Sequence, residues 1–175
     1  MEWLIIDEKY LNHLRSVEKR IPLSDYGNDK YKPFFGILFE TDKFYYVTQV
    51  SHPKKRHMSM KANQDFKKIY MPETNRLIAV INLNYMFPIL KSMNEKLEYK
   101  DINKHRTFNN DEEKSKYIDL MKTELKIINS MNLGKTALKI YNEKYDKPDS
   151  SLAKRCIDFK LMESLALRYE ESLEL

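Results

Sequence analysis

Six cationic side chains, Lys54, Lys55, Arg56, Lys61, Lys67 and Lys68, fall between Ser51 and Lys68, with only Asp65 opposing them. Such a cluster is an electrostatic footprint for phosphates. At its head stands Val50-Ser51-His52-Pro53-Lys54-Lys55-Arg56-His57, which groups a hydroxyl, two imidazoles, two ammonium groups and a guanidinium. Fixed cations stabilise the charge that builds on the non-bridging oxygens of a reacting phosphodiester. RNA carries its own nucleophile, the 2′-hydroxyl, so a protein that cuts it needs a proton acceptor, a proton donor and charge stabilisers but no metal. Aromatic side chains near such a site can stack unpaired bases, and the chain has 12 Tyr. The same residues serve a module that binds nucleic acid without cutting it, or simply a solvated basic loop. Spacing alone does not separate these readings.

Other chemistries fare worse. Gly134-Lys135-Thr136 resembles the end of a phosphate-binding loop, but Asn129 occupies the place of the earlier glycine and the preceding segment has helical periodicity. Of the four histidines only His52 and His57 are close together, and no carboxylate joins them at metal-ligand spacing, so neither a metal nor another cofactor is expected. Ser51 and His52 are not a nucleophile–base pair, because neighbours on an extended chain point to opposite faces. No helix-turn-helix pattern stands out to suggest a DNA-binding regulator.

A length of 175 residues is enough for one core, and a single domain over residues 1–175 is expected. The chain is 42% hydrophobic and 33% charged, with net charge +5 and a pI near 9.0. No apolar run approaches the ~20 residues of a membrane span, and the start lacks the pattern of an export signal. The single Cys156 excludes an internal disulfide and a cysteine-based zinc site. These features predict a soluble cytoplasmic protein with no membrane partner.

The elements that must hold the basic segment follow from periodicity. Trp3-Leu4-Ile5-Ile6 reads as a strand, and Asp7 can cap a helix carrying Leu11, Leu14 and Val17 that stops near Pro22. Residues 23–32, with Gly27 and Asn28, read as a loop. Residues 34–39 and 44–48 flank Thr41-Asp42 as a hairpin, in which Gly36 suggests a bulge or bend. The cationic segment follows as a loop, then 77–81 reads as a buried strand. Pro88 is expected to end or kink the segment after Tyr85-Met86-Phe87. From Glu112 the period changes: Ile118, Met121, Leu125 and Ile128 recur at helical spacing, Leu138 and Tyr141 extend helix past Gly134, and Asp158 can cap a last helix with Leu161, Met162, Leu165 and Tyr169. Strands first and helices later predict an α+β fold.

Five stretches, in order, also resemble a known family. They are Tyr10-Leu11 with Leu14 and Pro22; Lys32-Pro33-Phe34-Phe35-Gly36-Ile37-Leu38; Ser51-His52-Pro53-Lys54-Lys55-Arg56-His57; Asn82-Leu83-Asn84-Tyr85-Met86-Phe87-Pro88-Ile89; and Cys156-Ile157-Asp158-Phe159 with Leu161 and Glu163. From about residue 3 to residue 169 the chain resembles the ToxN/AbiQ family of type III toxins, which includes phage-abortive-infection proteins. The resemblance implies an endoribonuclease that cuts single-stranded RNA without a metal, leaving a 2′,3′-cyclic phosphate. It also implies a partner, a small repetitive noncoding antitoxin RNA that the toxin processes from its precursor and that inhibits it in a closed RNA–protein assembly. Cellular or phage RNA would be the substrate. The implied fold is a strongly bent antiparallel sheet, small and barrel-like, similar to the MazF and Kid toxins, with helices around it and a mainly helical C-terminal half.

Carried over by position, the resemblance makes Lys54 the charge stabiliser at the scissile phosphate and Ser51 a hydrogen-bond donor to a phosphate oxygen. Lys32 would hold a neighbouring phosphate, and Tyr10 would pack on RNA. His52 stands where relatives often carry Ser; histidine changes charge near neutral pH and suits proton transfer, so His52 is a third catalytic candidate. Lys55, Arg56 and His57 are expected to contact the RNA backbone, Lys61, Lys67 and Lys68 are weaker candidates, and Tyr117 is the candidate aromatic contact from the long helix. The identity of the general base stays open.

Overall fold

The computed structural model describes residues 1–27 and 31–173, so Asn28 of the expected loop lies outside the described residues. The first half supplies seven strands: β1 (Glu2–Ile5), β2 (Phe34–Gly36), β3 (Phe44–Ser51), β4 (Phe66–Tyr70), β5 (Leu77–Asn82), β6 (Phe87–Leu90) and β7 (Glu95–Lys96). Two helices interrupt them, α1 (Glu8–Val17) and α2 (Lys55–Ser59). The C-terminal region is helical: α3 (Asp111–Ser130), α4 (Leu133–Asp146), α5 (Ser151–Arg155) and α6 (Phe159–Leu173). The fold is α+β, as the change of period predicts.

One antiparallel sheet runs in the order β4-β5-β3-β2-β1-β7, with β6 also on β3. β3 is its spine. On one edge, between the pairs Phe35↔Thr48 and Glu40↔Tyr45, the β2 side carries two extra residues. On the other edge the 3₁₀ turn Leu83–Tyr85 is inserted between β5, which pairs Val50↔Ile81, and β6, which pairs Val47↔Phe87. Both interruptions flank the same part of β3, and insertions of this kind bend a sheet and increase its twist. Gly36 belongs to this bend, because a Cβ there would lie 2.9 Å from Val47 Cγ1 and 3.3 Å from Leu4 Cδ1.

Local signals explain much of the rest. The Asp7 carboxylate accepts from the backbone N–H groups of Lys9 and Tyr10 and so starts α1, whose Tyr10, Leu11 and Leu14 are buried. Val17, expected on that face, is exposed at the helix end. The Asp158 carboxylate accepts from the Leu161 N–H and begins α6, where Leu161 itself faces out. Pro88 departs from expectation: it lies inside β6, paired with Tyr46. β6 pairs with β3 alone among the described strands, and an edge position spares proline the N–H it lacks. The expected basic loop instead contains α2 and β4.

Long-range polar contacts fasten the layers. The Trp3 indole N–H donates to the Met121 carbonyl at 3.2 Å, joining β1 to α3. The Tyr10 hydroxyl donates to the Pro88 carbonyl at 2.6 Å, joining α1 to β6. No helix among the described residues is long and apolar enough to cross a membrane.

Candidate functional site

The end of β3 places Ser51. Its backbone pairs with Val80 of β5, and its side chain is half-buried. Two residues upstream, Gln49 is buried and anchors the neighbouring loop: its Nε2 donates to the carbonyls of Leu23 and Lys32, each at 2.8 Å, and its Oε1 accepts from the Tyr26 hydroxyl at 2.9 Å. Lys32 is thereby held beside β3, with its ammonium 4.7 Å from the centre of the Tyr26 ring. Gln49 positions the site although nothing in its sequence context marks it.

After Ser51 the chain turns through His52 and Pro53 into α2. His52, Lys54, Lys55 and Arg56 are exposed. His57, by contrast, is buried, and its Nδ1 accepts from the Lys54 backbone N–H at 3.0 Å. Burial lowers its pKa, helped by the positive charges of Arg56, Lys54 and Lys68. A neutral ring that organises the Lys54 turn is therefore its place in the structure, in contrast to the expected contact with an RNA backbone. Tyr10 is likewise enclosed, with 0% exposure and its hydroxyl committed to Pro88, so it too is scaffold where an RNA contact was expected.

Ser51 lines two cavities. The larger, about 610 Å³, is a groove also lined by Lys54, Arg56 and His57, by Arg15 of α1 and by Lys19 in the turn after it. Arg20 and Arg155 line it too, but they are paired, with Glu18 at 2.8 Å and with Asp65 at 2.9 Å. Among the described residues its uncompensated charge therefore comes from Arg15, Lys19, Lys54 and Arg56. The smaller cavity, about 280 Å³, carries Lys32, Ser51 and His52 alongside Trp3, Tyr117 and Glu124. Of the expected site residues, Lys32, Ser51, His52, Lys54 and Arg56 thus border one or other of these two cavities, as does the buried His57. Lys55 lines neither.

Several participants escape a sequence reading. Arg15 at the end of α1 and Lys19 in the turn after it are far from the basic segment in sequence and join it only through the fold. Asp65, the lone acid of that segment, is buried and takes both nitrogens of an Arg155 fork, at 2.9 and 3.1 Å, so it braces the groove wall rather than opposing the cluster. Glu124 is buried on the inner face of α3 between Met121 and Ile128. Its signal was visible: a carboxylate at a core position of an amphipathic helix. Among the described residues no group of three His, Cys, Asp or Glu side chains is arranged to hold a metal ion.

Comparison with known proteins gives a consistent answer. The profile of the family described as toxin ToxN of type III toxin–antitoxin systems matches residues 3–167. Endoribonuclease ToxN of Pectobacterium atrosepticum is 29% identical over 97 residues, 53% of this chain and 56% of that protein, so the alignment spans a little over half of the relative's length. The solved structure of AbiQ, a lactococcal anti-phage endoribonuclease of the type III toxin–antitoxin class, superposes with TM-score 0.75 at 18% identity, covering 97% of this chain and 98% of that one. A structure from work on a processed non-coding RNA that regulates a bacterial antiviral system gives TM-score 0.73 at 21% identity, covering 94% and 96%. At these identities the superpositions establish the fold.

Proposed function

Because the chain belongs to the ToxN family of type III toxin–antitoxin toxins, we propose that it is an endoribonuclease that cuts single-stranded RNA at the corner formed by Ser51 and Lys54. The observation that carries this reading is the position of Ser51, shared by the cationic groove and the smaller cavity, with Lys54 lining one and Lys32 the other. An unpaired strand following the groove brings a phosphate to that junction.

The reaction is transesterification. The ribose 2′-oxygen attacks the adjacent phosphorus, a new O2′–P bond forms and the P–O5′ bond breaks. The 2′-hydroxyl loses its proton to a base and the departing 5′-oxygen gains one, leaving a 2′,3′-cyclic phosphate and a 5′-hydroxyl. Lys54 stabilises the charge on the non-bridging oxygens, and the Ser51 hydroxyl donates a hydrogen bond to one of them. Lys32 holds the neighbouring phosphate, Arg56 contacts the strand along the groove, and exposed His52 takes part in proton transfer. No step requires a metal.

The partner is a small repetitive antitoxin RNA, cut from its precursor by the toxin and then retained across the groove in a closed assembly. Released toxin acts on cellular or phage RNA in the cytoplasm, a role in abortive infection. The test is to express the chain with and without Lys54→Ala and sequence the RNA that co-purifies, determining the chemistry of both RNA ends. Discrete units with cyclic-phosphate 3′ ends, absent for the variant, support the reading. Bound RNA with no protein-dependent ends would establish the alternative, an RNA-binding module without catalysis.

A further inference from the structure

The smaller cavity holds more polar chemistry than its apolar walls need. Glu124 is 6% exposed and lines this cavity, with the Lys32 ammonium as its charged neighbour. Tyr31 and Arg106 line the same cavity, and the Tyr31 hydroxyl and the Arg106 Nε are buried without a hydrogen-bond partner among the described residues. A buried polar group without a partner costs about 1–3 kcal/mol, and two around one space, beside a buried carboxyl, point to something that completes them. Aromatic rings line the cavity: Tyr117 has the Arg106 guanidinium 4.4 Å from its ring centre, and Trp3 is buried. The volume, about 280 Å³, falls at the lower edge of small-molecule pockets, a size for one planar ring system.

We propose that this cavity is a base-recognition pocket, in which Glu124 accepts hydrogen bonds from a nucleobase bearing an exocyclic amino group (adenine, guanine or cytosine) on a nucleotide beside the phosphate at Ser51. The proposal rests on the function assigned above and adds specificity to it. A carboxyl group accepts from an amino N–H, whereas uracil presents carbonyl oxygens on either side of its one ring N–H and meets the acceptor with repulsion. Arg106 Nε and the Tyr31 hydroxyl are donors suited to ring nitrogens or a carbonyl of the same base. Ser51 lines this cavity as well as the groove, so a nucleotide whose phosphate lies at Ser51 has its base at the mouth of the pocket. Burial raises the Glu124 pKa to about 7, with Lys32 pulling it down, so the carboxyl is sensitive to what enters beside it.

The chain contains a single tryptophan, Trp3, and it lines this cavity, which gives a readout independent of cleavage. Intact protein is titrated with AMP, GMP, CMP and UMP while indole emission is followed with red-edge excitation. At least one amino-bearing nucleotide should change the emission with an affinity tenfold or more above that of UMP. Glu124→Gln should shrink this preference to threefold or less, and Glu124→Leu should abolish it, with thermal melting confirming that each variant is folded. The same base preference should appear at one position flanking the mapped cut. The proposal is overturned if no nucleotide perturbs Trp3, if all four do so equally, or if folded Glu124→Gln keeps the full preference. A protein that passes this titration yet cuts no RNA would contradict the catalytic reading and leave base recognition standing.

Discussion

Lys54 and Ser51 carry different burdens in the proposed chemistry. Lys54 meets charge that exists fully only in the transition state, and removing one such group typically costs 10²–10³ in rate. Lys54→Ala is expected to lower kcat by about 100-fold, and Ser51→Ala by about 10-fold, measured on a short RNA spanning the cut, with melting temperature little changed for the exposed Lys54. His57→Ala should act differently: it removes the acceptor for the Lys54 N–H, so it lowers stability as well as rate. Glu124 supplies a pH signature. Its unfolded carboxyl ionises near 4.5 and its folded one near 7, so between these values the folded state holds more protons and stability falls as pH rises. Glu124→Gln should therefore gain about 1–3 kcal/mol at pH 8 relative to wild type and little at pH 5, read by urea denaturation.

At the scale of elements, two glycines mark close approaches, Gly36 at the bend of the sheet and Gly134 at the start of α4. A Cβ on Gly134 would lie 2.4 Å from the Leu38 carbonyl oxygen, which is backbone, whereas one on Gly36 would meet the side chains of Val47 and Leu4. Side chains can give way and backbone cannot. Gly134→Ala is thus expected to cost roughly 3 kcal/mol or more, and Gly36→Ala about 1–2 kcal/mol, by chemical denaturation. Elements with a local signature were legible in the sequence. The capped starts of α1 and α6, the 34–48 hairpin with its bend and the β-branched strand β5 all stand where periodicity puts them. β4 was not legible, because Phe66 and Ile69 are three apart and two lysines sit between them, so no alternation announces a strand. Pro88 misled for a related reason: its tolerance depends on β6 having only one partner, which is a property of the sheet. The site divides in the same way. Ser51 and Lys54 became candidates through the family resemblance of the Ser51–His57 stretch, whereas the burial of Tyr10 and His57, and the presence of Arg15 and Lys19 in the same groove, depend on contacts distant in sequence.

For the whole molecule, net charge matters less than where its pairing fails. Ion pairs neutralise Arg20 and Arg155, and the remaining cations that line the groove with Ser51 come from two separate stretches, Arg15 with Lys19 and Lys54 with Arg56. A strand bound there releases counterions, so affinity should fall steeply with salt. Lys19→Ala, which leaves the Ser51–Lys54 corner intact, should weaken RNA binding and reduce the slope of log affinity against log salt by about 1. The central claim is that this corner lets RNA break itself by its own 2′-hydroxyl. The most direct measurement incubates purified protein with a defined RNA in excess EDTA and identifies the new 3′ end by mass spectrometry. The account predicts a 2′,3′-cyclic phosphate, and none when the nucleotide at the cut carries 2′-O-methyl. Scission that requires added metal, or that proceeds unchanged on the 2′-O-methyl substrate, would contradict it.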